Sequence, residues 1–184
     1  MKAIIGVVLA LVLLGAPLIS SYNSLVVEES NVEKAWSDID NKLQRRNDLI
    51  PNLVNAVQGA MDQEDDVFIA IADARANIGK ADTVEESMAA NNQMTSAVTN
   101  LIAVTESYPE LKSNENVTRL MDELAGTENR ISTERGRYNE TVQKYNNKVK
   151  RFPTSVIAGM LGFDEKPYFE ADEDARENPE VNFN

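Results

Sequence analysis

The sequence predicts an all-α protein: an N-terminal single transmembrane helix followed by an antiparallel bundle, most simply of four helices, with long coiled-coil-like helices. Three observations carry that prediction. Every residue from 3 to 19 is apolar, Gly or Pro; beyond it the apolar positions recur at steps of three, four and seven; and no stretch shows the two-residue alternation or hairpin turns of strands. At 184 residues with 42% hydrophobic and 26% charged side chains, one domain with a short appendage is expected.

The apolar run comes first. A helix over residues 3–27 rises roughly 37 Å at 1.5 Å per residue, enough to cross the hydrocarbon with some tilt. A cleaved signal peptide needs small residues at a processing site. Pro17 stands where cleavage would fall, so an uncleaved anchor is the expectation, with Ala3, Ile4, Ile5, Val7, Leu11, Leu14 and Leu18 facing lipid. Lys2 precedes the run, whereas Lys34 is the only basic side chain between residues 20 and 39. That asymmetry keeps the N-terminus inside and the bulk of the chain outside.

From Leu25 one apolar face runs through Val32, Trp36, Ile39, Leu43, Ile50, Val54, Val57 and Met61. It has a polar gap at Arg46 and Asn47, and Pro51 should kink or restart the helix because the Asn47 carbonyl loses its donor. Glu64, Asp65 and Asp66 suit a helix start, Gly79 suits its end, and Phe68, Ile71, Ala74 and Ile78 form the face between. The spacing of Thr83 and Glu86 is that of a capping box for a third helix, whose face is Val84, Met88, Asn91, Met94, Val98, Leu101, Ile102 and Thr105, ending at Tyr108-Pro109. Were residues 64–107 one broken helix, the bundle would have three members.

The last long helix should run from about Asn114 to Phe152, with Val117, Leu120, Leu124, Ile131, Tyr138, Val142, Tyr145, Val149 and Phe152 on its face. Gly126 and Gly136 each cost a helix about 1 kcal/mol, which close helix approach would offset. After Pro153 residues 154–163 are apolar but too short to span a bilayer. With four helices they return to the membrane side, making Val156, Ile157, Met160, Leu161 and Phe163 candidates for assembly or membrane contact. The division expected is therefore anchor 1–27, bundle 28–153, apolar segment 154–163 and acidic tail 164–184, the tail strapped to the surface or loosely ordered.

Chemistry is bounded by two zeros. Without His or Cys there is no Ser-His-Asp or Cys-His catalysis, no zinc site built on those ligands and no disulfide. The net charge is −12, and −13 beyond the anchor, where 17 basic residues meet 30 acidic ones; that field repels nucleic acid and anionic lipid. No catalytic residue, cofactor or metal site is expected. Asp172-Glu-Asp174 lacks the glycine and closing glutamate of a calcium loop. Asn116 and Asn139 head glycosylation-like triplets but fall inside helices. Trp36, Tyr138 and Tyr145 lie on helical faces, as core residues do. Arg46, Asn47, Glu128, Arg130, Glu134 and Arg135 fall at the polar gaps of two long helices. They could form an interhelical network, a solvated face or a ligand site, and the structural network is the favoured reading because a buried charge must be paired.

Several stretches resemble the LemA family of bacterial membrane-anchored helical proteins: Tyr22-Asn-Ser-Leu25, Ala35-Trp36, Gln44-Arg-Arg-Asn-Asp-Leu-Ile-Pro-Asn-Leu-Val54, Tyr108-Pro-Glu-Leu-Lys112, Gly126-Thr-Glu-Asn-Arg-Ile131, Arg137-Tyr-Asn-Glu140, Tyr145-Asn146 and Lys166-Pro-Tyr-Phe-Glu170. The resemblance covers nearly the whole chain. It implies a single span, an antiparallel bundle and no established catalytic activity, and it places the chain in a bacterial inner membrane. This chain departs from usual members in the acidic Glu28-Glu29 after the span. The function expected is a non-catalytic membrane-anchored scaffold that self-assembles and organises or shapes the membrane, with lipid, other copies and a membrane protein as partners. An adaptor for a membrane protease or envelope-stress system, and a ligand sensor or enzyme using the Arg/Glu cluster, are the alternatives.

Overall fold

The computed structural model describes the backbone of residues 1–61 and 64–170 and, within these, the side chains of all but residues 2, 3 and 5–16. The fold is all-helical: α1 (Lys2–Val57), a 3-10 turn (Gln58–Ala60), α2 (Asp65–Ile78), α3 (Val84–Thr105), α4 (Pro109–Lys112), α5 (Glu115–Lys150) and α6 (Thr154–Leu161). Among the described residues there is no strand. Nor, among them, is any helix long and apolar enough to cross a membrane. The side chains of Ala3, Ile5, Val7, Leu11 and Leu14 lie outside the described set, while Ile4 and Leu18 are exposed.

The helix boundaries follow local chemistry. Asp65 and Asp66 occupy the first turn of α2 and Gly79 its C-cap. Thr83 accepts a hydrogen bond from the Glu86 backbone while the Glu86 carboxylate accepts from the Thr83 backbone, so α2 and α3 are separate helices. Tyr108 caps α4, with Pro109 in its first turn, where a missing N–H costs nothing. Pro51 does not restart a helix: α1 runs unbroken through it. The reason lies in its neighbours, since Leu49, Ile50, Leu53 and Val57 are all buried. At about 1.5–3 kcal/mol per buried aliphatic side chain, they outweigh the ~3 kcal/mol that an interior proline costs.

The chain forms two compact units: residues 1–39 with 134–168, and residues 40–133 with 169–184. In the second unit four helices share one core. Leu53 and Val57 of α1, Ile71 and Ala74 of α2, Val98 and Leu101 of α3, and Val117 and Leu124 of α5 are its centre, with Leu111 of α4 and Met61 closing it. The residue after the first unit, Phe169, is buried, and the Asn92 amide donates to the Glu170 carbonyl at 3.1 Å.

In the first unit α1 and α5 run antiparallel: Lys148 reaches Ser24 and Glu28, whereas Trp36 packs edge-on against Tyr138 with ring centres 5.8 Å apart. Leu25, Val32 and Ile39 face Tyr138, Val142 and Tyr145 at heptad steps, all buried. The helix ends at Lys150, and Phe152 is 79% exposed, so it does not continue the stripe as expected. The peptide reverses at Pro153 into α6. Gly126 and Gly136 are not close-approach sites either, because a Cβ added at either would meet nothing within 4 Å.

The start of the tail is strapped rather than loose. Pro167 biases Lys166 toward extended backbone, in which one residue's N–H and C=O point to the same side. The Asn146 side chain grips both, donating to the Lys166 carbonyl and accepting from its N–H, each at 2.9 Å. Tyr138 donates its hydroxyl to the Pro167 carbonyl at 3.1 Å, and ion pairs from Lys166 to Glu29 and Lys150 to Glu165 hold the edges. Residues 171–184, including Asp172-Glu-Asp174, lie outside the described residues.

Candidate functional site

The polar gap in the α1 stripe turns out to be in register with it. Val32, Ile39 and Arg46 are seven residues apart, and the Arg46 side chain is fully buried in the second unit. A buried guanidinium has five donors to satisfy. One Nη donates to the Thr95 hydroxyl at 2.9 Å and to Glu128 Oε1 at 3.2 Å, with the Asn91 carbonyl at 3.5 Å; the other donates to Asn91 Oδ1 at 2.5 Å. Asn91 is held in that orientation because its amide nitrogen donates to the Ser87 carbonyl at 2.7 Å. The Thr95 hydroxyl in turn donates to Glu128 Oε2 at 3.2 Å or to the Asn91 carbonyl at 3.1 Å. Burial lowers the Arg46 pKa from its ordinary value, opposed by the Glu128 charge and hydrogen bond. A guanidinium titrates so high that it stays charged.

The cluster occupies both Nη groups of Arg46, while its Nε is buried without a hydrogen-bond partner among the described residues. Its acceptors are fixed by groups on α3 and α5, and the Glu128 side chain is only 17% exposed. Of the six residues at the polar gaps, Arg46 and Glu128 meet. Asn47 is half-buried beside them, its Oδ1 without a hydrogen-bond partner among the described residues. Arg130 is exposed and takes no part. Glu134 and Arg135 belong to the first unit, where Glu134 pairs with Arg137 at 2.8 Å. Asn91 and Thr95 complete the cluster and were not among the six. Asn91 sat on the predicted α3 face, and a polar residue on a buried stripe was the available signal.

Other concavities offer less. A groove of about 390 Å³ in the first unit is lined by Glu28, Lys34, Asp38, Glu134, Arg137 and Lys144, whose charges are mixed. Several are spent on each other or nearby: Lys34 on Asp38 at 3.7 Å, Arg137 on Glu134, and Glu28 on Lys148 at 2.7 Å. A second groove, about 450 Å³ between α1 and α2, is lined by Ile50, Pro51, Val54, Phe68 and Ile71 with Arg75 at its edge. Among the described residues no three metal-ligating side chains converge. The Tyr145 hydroxyl is buried with no hydrogen-bond partner among the described residues, and burial, with Glu29 and Asp164 adding to it, pushes its pKa up to about 12. It therefore stays protonated, and the Lys166 ammonium lies 5.8 Å from its ring centre.

Several of the residues that carried the family resemblance make structural contacts: Arg46, Tyr138, Asn146 and Lys166 tie helices or the strap together, and Tyr108 precedes α4. Comparison with known proteins agrees in extent. The LemA family model matches residues 35–183. Among curated proteins the chain is similar to magnetosome proteins MamQ 1 and MamQ 2 of Paramagnetospirillum magneticum, at 25% identity over 89% of this chain and 70% of theirs. It is also similar to magnetosome protein MamQ of Magnetospirillum gryphiswaldense, at 23% identity over 88% of this chain and 69% of that one.

Proposed function

Because this chain belongs to the LemA family, we propose that it is a non-catalytic helical scaffold, held in a bacterial inner membrane by residues 3–19 with the rest of the chain outside. The observation that carries the non-catalytic part is the Arg46 cluster. A substrate-binding arginine presents its terminal donors to an open cleft, whereas both Nη atoms of Arg46 are bonded to Asn91, Thr95 and Glu128 on neighbouring helices and its Nε, unpaired among the described residues, is buried. The likeness to proteins named for the magnetosome supports the membrane-associated part of this reading. Anchoring favours self-association, since chains confined to one membrane meet at a raised effective concentration.

The test is the full-length protein, cross-linked in native membranes and then purified in mild detergent for its mass and lipid content. A lipid-retaining homo-oligomer is the expected result. Monomers alone would remove the assembly, and stoichiometric recovery of one different membrane protein would turn the scaffold into an adaptor. A ligand that binds wild type but not the Arg46→Met variant, at a temperature where circular dichroism shows that variant still folded, would convert the cluster into a site.

A further inference from the structure

We infer that α6 and Phe152 form a second membrane contact, lying in the headgroup–acyl boundary beside the point where α1 leaves the bilayer; this rests on the reading of residues 3–19 as the anchor. α6 is amphipathic without being charged. Ile157 and Ala158 are buried inward, while Val156, Met160 and Leu161 are 51%, 79% and 57% exposed, with Phe152 at 79% beside them. Positions 156 and 160 are four apart in α6, so one side of the helix carries exposed apolar atoms, and Phe152, two residues before the helix, is exposed as well. Of the five apolar residues expected to make contact, three face out and two, Ile157 and Phe163, point in.

The place of α6 in the unit selects the occupant. Gly162, at φ 76°, ends the helix, and the Phe163 N–H donates to the Ala158 carbonyl at 3.0 Å, which turns the next side chain back. The Phe163 ring then meets Tyr22 edge-on, ring centres 6.0 Å apart at 72°. Tyr22 lies three residues beyond the apolar run, one helical turn from the exposed Leu18 and Ile19, and a half-exposed tyrosine there is an interfacial residue. The exposed faces of α6 and of α1 at residues 18–22 are therefore neighbours, and a bilayer that receives residues 3–19 meets α6 at the same depth. A helix lying in that plane buries its apolar face by ~5–10 Å. Charge narrows the lipid: α6 has no charged side chain, Lys150 is engaged by Glu165 at 2.7 Å, and the two exposed charges flanking the contact, Arg151 and Asp164, are of opposite sign. The contact is with acyl chains under a zwitterionic surface, not with an anionic headgroup.

The chain contains no cysteine, so single labels report single positions. Full-length protein bearing an environment-sensitive fluorophore at Met160→Cys, Val156→Cys, Leu11→Cys or the exposed control Glu33→Cys is placed in phosphatidylcholine vesicles, with or without nitroxide on the acyl chains. Labels at 156, 160 and 11 should lose most of their emission to the nitroxide while the label at 33 keeps it, and adding phosphatidylglycerol should change nothing. Quenching at 11 without quenching at 160 overturns the α6 contact and leaves the anchor standing. No quenching at 11 removes the anchor on which it rests. A label at 160 that shifts to the blue yet resists the nitroxide shows the face covered by a second copy, and quenching that requires phosphatidylglycerol shows an electrostatic contact; either overturns the inference.

Discussion

In the unit of residues 40–133, four helices surround a core of Leu, Ile, Val and Met, and that enclosure is complete enough to bury an arginine. In the unit of residues 1–39 and 134–168, α1 and α5 supply the only long faces. Two helices enclose little volume, so the aliphatic stripe of Leu25, Val32, Ile39 and Val142 there is supplemented by large flat rings, Tyr138 and Tyr145 with Trp36 at the edge, and is finished by main-chain clamps to the strap. The same two helices thus reach burial by different means. Where helices are numerous, aliphatic packing dominates; where they are few, each ring and each side-chain-to-backbone bond carries a larger share.

The contrast is most easily broken at Arg46. Arg46→Met should cost about 3–5 kcal/mol in urea unfolding, because Asn91 and Glu128 are left without their buried donor. Adding Glu128→Gln and Asn91→Leu should recover most of that loss. Amide protection should fall along α3 while that around Tyr138 is kept; a uniform fall would show that the two units unfold together.

In the other unit the largest single effect is expected from the strap. Asn146→Ala removes two hydrogen bonds to Lys166 and should cost about 1–3 kcal/mol, with faster exchange of the Lys166 amide as the direct readout. Asn146→Asp keeps the acceptor, loses the donor and should fall between.

Glu28 sharpens the comparison through pH. The hydrogen bond from Lys148, helped by Asn31, holds its carboxyl below the ordinary value of 4.5. The folded form therefore binds that proton less readily than the unfolded chain. Its contribution is complete above that ordinary value and is lost as pH falls through the depressed folded value. Glu28→Gln should cost up to about 1 kcal/mol at neutral pH, with its stability curve converging on wild type below 4.5.

The smallest effect has the opposite sign. Gly126→Ala and Gly136→Ala, one in each unit, should each stabilise by about 0.5–1 kcal/mol in thermal unfolding, since the added methyl meets nothing and the unfolded chain loses freedom. A loss at either would reveal a partner packed against that glycine.

Periodicity and caps made most of the fold legible. The α2 and α3 boundaries follow from Asp65, Gly79 and the Thr83–Glu86 pair because those signals are local. Pro51 did not restart the helix because its cost is local while the burial that outweighs it is spread over four neighbours. Arg46 was legible as a gap and Glu128 as a gap, but Asn91 and Thr95 joined them only once α3 had a place. The Asn146 grip was invisible for a related reason: its partner is the backbone of residue 166, and backbone atoms carry no letter in a sequence.

That last point bears on how the chain can vary. Any residue except proline offers the N–H and C=O that Asn146 holds, so the side chain at 166 is free to change at the loss of its pairing with Glu29. What cannot change freely is the count of residues between the end of α6 and Pro167. The strap works as a ruler, tolerant of spelling and intolerant of length, and a one-residue insertion at 164–165 should do more harm than any single substitution there.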